Sequence, residues 1–229
     1  MDRRSFLKQS SLIVPGLTAA GLAGTTTRKL FANNPVTRPF SLSVVTDRPL
    51  SVLPLVQKLL ERVDLPDKNI RYTEFTLPGS HISDIVYTRS GMLIDYRNGN
   101  DPVLTGIRDI AKLLDMPYTC DEPLLAHFSC DEGIRKPAGI RIFRDNMLII
   151  EKKFPTRTET MQIEGPQGPS VLELGQDHTL RFLESPCRHK TCISSGSISQ
   201  AGQSLVCIPN RITASITGTD ISGVDARSY

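Results

Sequence analysis

Three cysteines in one short stretch carry the chemistry this sequence could perform. Cys187, Cys192 and Cys207 fall within residues 185–211, SPCRHKTCISSGSISQAGQSLVCIPNR. Thiolates are nucleophiles, redox partners and ligands for soft metal ions. His189 lies between the first two, flanked by Arg188 and Lys190. Pro186, Gly196, Gly202 and Pro209 break the stretch into turns, and the runs around Ile193, Ile198 and Leu205–Ile208 are short and apolar. That texture excludes a helix and describes a pair of loops that is stapled together or holds a ligand.

Several chemistries fit. A structural disulfide would tie Cys207, whose backbone the run Leu205–Ile208 fixes, to Cys192 or Cys187. A redox-active pair would gain from the basic neighbours, which favour thiolate, although C-x4-C is not the C-x2-C spacing and no βαβ context surrounds it. Cys187, His189, Cys192 and Cys207 form a four-ligand set of the right types for tetrahedral zinc. The layout Cys187-x-His189-x-x-Cys192 resembles the first box of Rieske proteins. A Rieske site needs a second histidine, and Asn210 stands in its place in Cys207-Ile208-Pro209-Asn210. Covalent haem fails, because Ile193 and not His follows Cys192. The reading adopted is a disulfide or free-thiol cluster without a cofactor, with zinc or an iron–sulfur centre as the alternative.

Cys120 and Cys130 bracket YTCDEPLLAHFSCDEG and could close that loop as a second disulfide, with His127 between them as a conceivable third metal ligand. His81, Asp84 and Asp95 read as scattered polar positions on loop and strand faces. There is no GxGxxG, Walker loop, HExxH or GxSxG, no compelling Ser/His/Asp order among four histidines and no paired carboxylates. Hydrolysis and glycoside cleavage therefore have no support in the sequence, and redox chemistry at the cysteines is the one enzymatic alternative.

The order C-x4-C, then Gly196-x-Ile198, then GQ-x-LVC-x-PNR ending at Arg211 resembles the NusG domain II family over roughly residues 138–219. That resemblance implies a compact β-barrel with its cysteine loops at one end. These small β-domains occur as inserts in a transcription factor and as free, often exported, bacterial proteins.

The elements that must position the cysteines read as two domains. Residues 38–130 follow the order β-α-β-β-β-α, an α/β sandwich with helices on one face of a small sheet. Strands are expected at 40–46 and 70–77, with a hairpin over 84–96 turning at Ser90-Gly91. One helix starts near Ser51, since Pro54 is tolerable only in a first turn. A second is capped by Asp101 with Pro102 at its first position, its face formed by Val103, Leu104, Ile107, Ile110, Ala111 and Leu114. Near 131–138 the patterning changes to short, evenly spaced strands, a small all-β barrel over 138–219, followed by a tail at 220–229. The whole is of α+β class.

Residues 1–32 read as a twin-arginine (Tat) export signal: Arg3-Arg4, then Phe6, Leu7 and Lys8, then the weakly apolar run 11–24, too short for a confident membrane span. Of the 27 basic residues, five lie in this segment, and of the 24 acidic residues, one. Without the segment the charge falls from +3 to about −1, so the basic balance argues for no nucleic-acid partner. The function expected is an exported accessory or binding protein in the periplasm, or anchored facing it through an uncleaved signal. Its partner would be an unspecified protein or small molecule, and its alternative a periplasmic redox protein using the three cysteines.

Overall fold

The computed structural model describes residues 39–62, 70–130 and 136–219. The expected export signal, the expected tail and most of the segment expected to join the two domains lie outside those residues. The described chain is mostly β, in three open antiparallel sheets.

The first sheet has the order β2 (Ile70–Thr76), β6 (Leu124–Cys130), β1 (Phe40–Thr46), β3 (Ser80–Arg89), β4 (Met92–Ile94), with β5 (Tyr118–Asp121) paired to the far end of β3. Alternation along β1 and β6 sorts their side chains to two faces. Phe40, Leu42, Val44, Ala126 and Phe128 turn to one face and join a core with Val52, Val56, Leu60, Leu104 and Ile107 of two helices, α1 (Pro49–Arg62) and α2 (Pro102–Leu113). The opposite face carries Ser43, Val45, Leu125 and His127, in cross-strand register. Asp101 caps α2 as expected, its carboxylate accepting from the Val103 N–H at 2.8 Å. The Ser90-Gly91 turn has both residues at positive φ, 52° and 81°, the geometry of a tight hairpin. Among the described residues no helix is long and apolar enough to cross a membrane.

β5 and β6 correct the expected cysteine-closed loop at 120–130. The register places Cys120 opposite His81 at one end of β3, while Cys130 pairs with Phe40, which pairs with Arg89 at the other end. Eight residues of strand span about 26 Å, against a Cα separation of about 6 Å in a disulfide. Cys120 and Cys130 therefore cannot be bridged in this fold. The physical reason is that LLAHFSC has enough apolar character to form an interior strand of the sheet instead of a surface loop.

The second half forms two four-stranded sheets. One has the order β12 (Ser197–Ile198), β11 (Leu180–Glu184), β10 (Gly168–Leu174), β9 (Glu159–Gly165). The other has the order β13 (Ser204–Cys207), β14 (Ile212–Gly218), β7 (Pro137–Arg144), β8 (Met147–Lys153). They share one core, including Ile140, Ile142, Leu172, Leu174, Phe182, Ile212 and the three sulfurs of Cys187, Cys192 and Cys207. The strand spacing was read as a barrel; neither sheet closes. The Asp145-Asn146 hairpin turn is as expected, with φ of 51° and 61°.

Candidate thiol site and the pocket beside it

Cys207 is fixed at the end of β13, opposite Ile212. Cys187 follows the exit of β11 by way of Ser185-Pro186, and Cys192 sits in a single helical turn, α3 (Thr191–Ser194). All three are buried, at 4%, 2% and 1% exposure, so their sulfurs are closed to bulk water. The three Sγ atoms lie within 4.8 Å of one another, with Cys187 and Cys192 separated by 3.6 Å. The buried Ser185 hydroxyl is shared by the cluster: Oγ donates to Cys187 Sγ at 3.2 Å and lies 3.4 Å from Cys207 Sγ. The Cys187 N–H in turn donates to that oxygen. Lys190, in a left-handed conformation just before α3, donates its ammonium to the Ser185 carbonyl.

The thiols are not equivalent. The neighbouring Cys192 thiol holds the Cys207 thiol below the ordinary cysteine value despite burial, with help from Ser185 and the Asn210 N–H. The same interaction with Cys207, reinforced by burial, pushes the Cys192 thiol up. In a pair of buried thiols the first proton lost leaves a thiolate that the remaining S–H stabilises, and a second charge is then opposed by the first.

His189 does not join the cluster. Its Nδ1 bonds the Ser80 carbonyl at 2.9 Å and the residue is half-buried away from the sulfurs, so the four-ligand zinc set of Cys187, His189, Cys192 and Cys207 does not assemble among the described residues. Asn210 does not stand in for a metal-binding histidine either. It is fully buried; Nδ2 donates to the Gly168 carbonyl and Ser170 Oγ, each at 2.8 Å, and Oδ1 accepts from the Gln167 N–H at 3.0 Å. It clamps the β9–β10 turn to the turn after β13. The Rieske-like ligand pair is thus absent on both counts.

Two histidines stand at the junction of the halves: His81, expected as a scattered polar position, and His127, expected as a conceivable metal ligand with Cys120 and Cys130, which do not group with it among the described residues. His81, 1% exposed, has Nε2 at 3.0 Å from the Pro78 carbonyl and Nδ1 at 2.9 Å from Thr191 Oγ1. A carbonyl can only accept, so Nε2 carries the proton and Nδ1 accepts from the Thr191 hydroxyl. His81 thereby ties β3 to the turn that carries Cys192. His127 stands on the open face of the first sheet, 7% exposed. Its Nδ1 is 2.9 Å from Ser43 Oγ, while Nε2 has no partner among the described residues. Burial lowers its pKa to about 4, which keeps the ring neutral. Spacing gives no hint of either role, because both depend on register within the sheet.

His127 lines a pocket of about 340 Å³ between this sheet face and residues 191–206. Ser43, Thr73, Thr191, Ser195, Gln200 and Gln203 supply hydroxyls and amides; Val45, Phe75, Leu125 and Ile198 supply apolar wall. Among the described residues no charged side chain lines it. A second pocket, of about 420 Å³, is lined by Asp84, Arg97, Asp145 and Arg211 among others. Those charges are already paired, Arg97 with Asp84 at 2.9 Å and Arg211 with Asp145 at 3.1 Å.

Residues 126–220 match the family model of NusG domain II, a match that begins within β6 and takes in every strand of the second half. No curated protein matches the chain. Similar solved structures include the Lin0431 protein from Listeria innocua, 21% identical, covering 37% of this chain and 99% of its own, with a TM-score of 0.34. A DUF1312 family protein from Enterococcus faecalis is 21% identical over 36% of this chain and 98% of its own, TM-score 0.33. A DUF1312 family protein from Ruminococcus gnavus is 22% identical over 35% and 97%, TM-score 0.30. The part of the chain that bears the thiol cluster, residues 126–220, is therefore the part similar to the NusG domain II family.

Proposed function

We propose that this protein is an exported accessory protein that binds a small uncharged molecule and does not transform it. One observation carries the reading: a pocket of about 340 Å³ that, among the described residues, has no charged lining side chain, is walled by hydroxyls and amides, and lies beside the buried, unpartnered Nε2 of His127. A buried imidazole nitrogen without a partner is costly, and a ligand group that pairs with it relieves that cost. Ser43 can give or take the proton shared with Nδ1, so a ligand hydroxyl, which both donates and accepts, matches either tautomer of His127. Ser43 and His127 face the pocket 2.9 Å apart, but among the described residues no third group orients the imidazole through Nε2, which supports binding over catalysis. The twin arginines Arg3-Arg4 and the run 11–24 support export through the Tat route to the periplasm or to its face of the membrane. Saturation-transfer NMR on the full chain, with monosaccharides, nucleosides and acylated amino-acid amides as probes, tests the reading. At least one class should bind at millimolar concentration and be lost in His127→Phe, which fills the pocket. Silence from all three classes, or binding indifferent to that substitution, would refute it.

A second reading places function in the thiols. It is favoured by the convergence of Cys187, Cys192 and Cys207 within 4.8 Å of one another, out of contact with bulk water. Thiol counting of the exported protein before and after reduction separates an active dithiol from three inert thiols.

A further inference from the structure

The cluster itself points to a specific kind of ion. We infer that Cys187, Cys192 and Cys207 form a three-coordinate, all-sulfur site for one soft monovalent metal ion, Cu(I) by chemical class. The inference rests on the second reading above, that function resides in the thiols, and is independent of the pocket.

Geometry comes first. Three sulfurs at about 2.3 Å from one ion in a plane are spaced about 4.0 Å apart. The observed sulfurs are 3.6 Å apart at Cys187–Cys192 and all within 4.8 Å, so shifts of a few tenths of an ångström seat one ion among them.

The coordination number then selects the ion. Structural zinc takes four ligands and catalytic zinc keeps a water in the open position. Among the described residues, no fourth His, Cys, Asp or Glu joins the group, His189 is held at the Ser80 carbonyl, and the cysteines are too buried to leave room for a solvent ligand. Iron–sulfur clusters need four protein ligands as well. A soft ion that is satisfied by three thiolates has what it needs, and soft thiolates select Cu(I) over the harder divalent ions.

The surroundings suit the charge. Each Cys that becomes a ligand releases its S–H proton to solvent, so three thiolates and one monovalent cation carry a net charge of −2. The Ser185 hydroxyl donates to Cys187 and lies beside Cys207. The Lys190 ammonium is bonded to the carbonyl of the same serine. Such outer partners orient thiolate ligands and offset their charge. Cys192 is on α3, whose first residue Thr191 is held by His81 from the first sheet, so the third ligand is positioned by the other half of the molecule.

The test uses the full chain, reduced and kept anaerobic, titrated with Cu(I) against bicinchoninate and in parallel with Zn(II) against a chelator. The expected result is one Cu(I) retained per chain, with X-ray absorption showing three sulfur neighbours at about 2.3 Å and no nitrogen or oxygen. Zn(II) should be surrendered to the chelator. Each of Cys187→Ser, Cys192→Ser and Cys207→Ser should weaken Cu(I) binding by at least roughly 100-fold, and His189→Ala should leave it unchanged. Absorption on the unmodified protein decides the matter even where a serine variant fails to fold. Two sulfur neighbours, no retained Cu(I), or retained Zn(II) that is lost in His189→Ala would overturn the site. A chain that cycles between dithiol and disulfide yet takes up no Cu(I) would overturn the metal site while leaving the thiol reading standing. Inert thiols would end both.

Discussion

Lowering the pH should destabilise this protein through one residue, His127. Its imidazole is buried against Ser43 and has a folded pKa of about 4, depressed by desolvation, against about 6.5 in an unfolded chain. A depressed histidine contributes its full stability above the unfolded pKa, where both states are neutral. As pH falls below 6.5 the unfolded state takes up a proton that the native state refuses, so stability is lost until pH 4, where the native ring protonates too and the loss levels off. The difference of about 2.5 units corresponds to roughly 3 kcal/mol across the window, with about 2 kcal/mol already gone at pH 5. For a chain of this size that lowers the thermal midpoint by roughly 6–12 °C over the whole window. Carboxylates titrate nearby, so the assay is a difference: denaturant unfolding from pH 7.5 to 3.5 for the native chain and for His127→Gln, which keeps a neutral polar group at the site. The two curves should converge as pH falls, the variant lacking the loss between 6.5 and 4. Parallel curves, or an imidazole that titrates near 6.5 by NMR in the folded protein, would refute the burial argument.

Asn210→Ala removes three hydrogen bonds at a fully buried position. It should cost about 2–3 kcal/mol, since the Gly168 carbonyl loses its partner, read as a drop of roughly 5–10 °C in the thermal midpoint. Asp101→Ala removes both the cap of α2 and a 2.7 Å ion pair with Arg89, for about 2 kcal/mol. Asp101→Asn keeps the cap and should recover more than half of that; equal losses in denaturant titration would show that the cap contributes nothing. Replacing Arg3 and Arg4 together with Lys should hold the precursor in the cytoplasm on fractionation, and undiminished export would dismiss the Tat assignment.

Much of the local structure is legible in the sequence because its causes are local. Asp101-Pro102 caps and starts a helix through groups two residues apart, and the 3.6-residue spacing of Leu104, Ile107 and Ala111 dictates which face is buried. Ser90-Gly91 and Asp145-Asn146 make tight turns because they tolerate positive φ. The three cysteines of the second half stand out by type alone, as does their setting among turns. Their mutual distances do not. Cys187 and Cys207 are brought together by the pairing of β13 with β14 and the exit of β11, and which histidine approaches them is decided by register. Hence His189, adjacent in sequence, faces away, while His81, more than a hundred residues earlier, holds the turn of Cys192.

Closure of a sheet is also not written in strand spacing, so a barrel and two open sheets sharing a core present the same alternation. The run LLAHFSC could be a loop bracketed by thiols or an interior strand, and only pairing with both β1 and β2 settles it as β6. The sequence by itself determined the turns, caps, apolar faces and the three thiols, because those depend on neighbours along the chain. The tertiary structure decided which thiols meet, that Cys120 and Cys130 are kept apart, and that His127 is buried beside a pocket, because strand register converts one position along a chain into one place on a sheet.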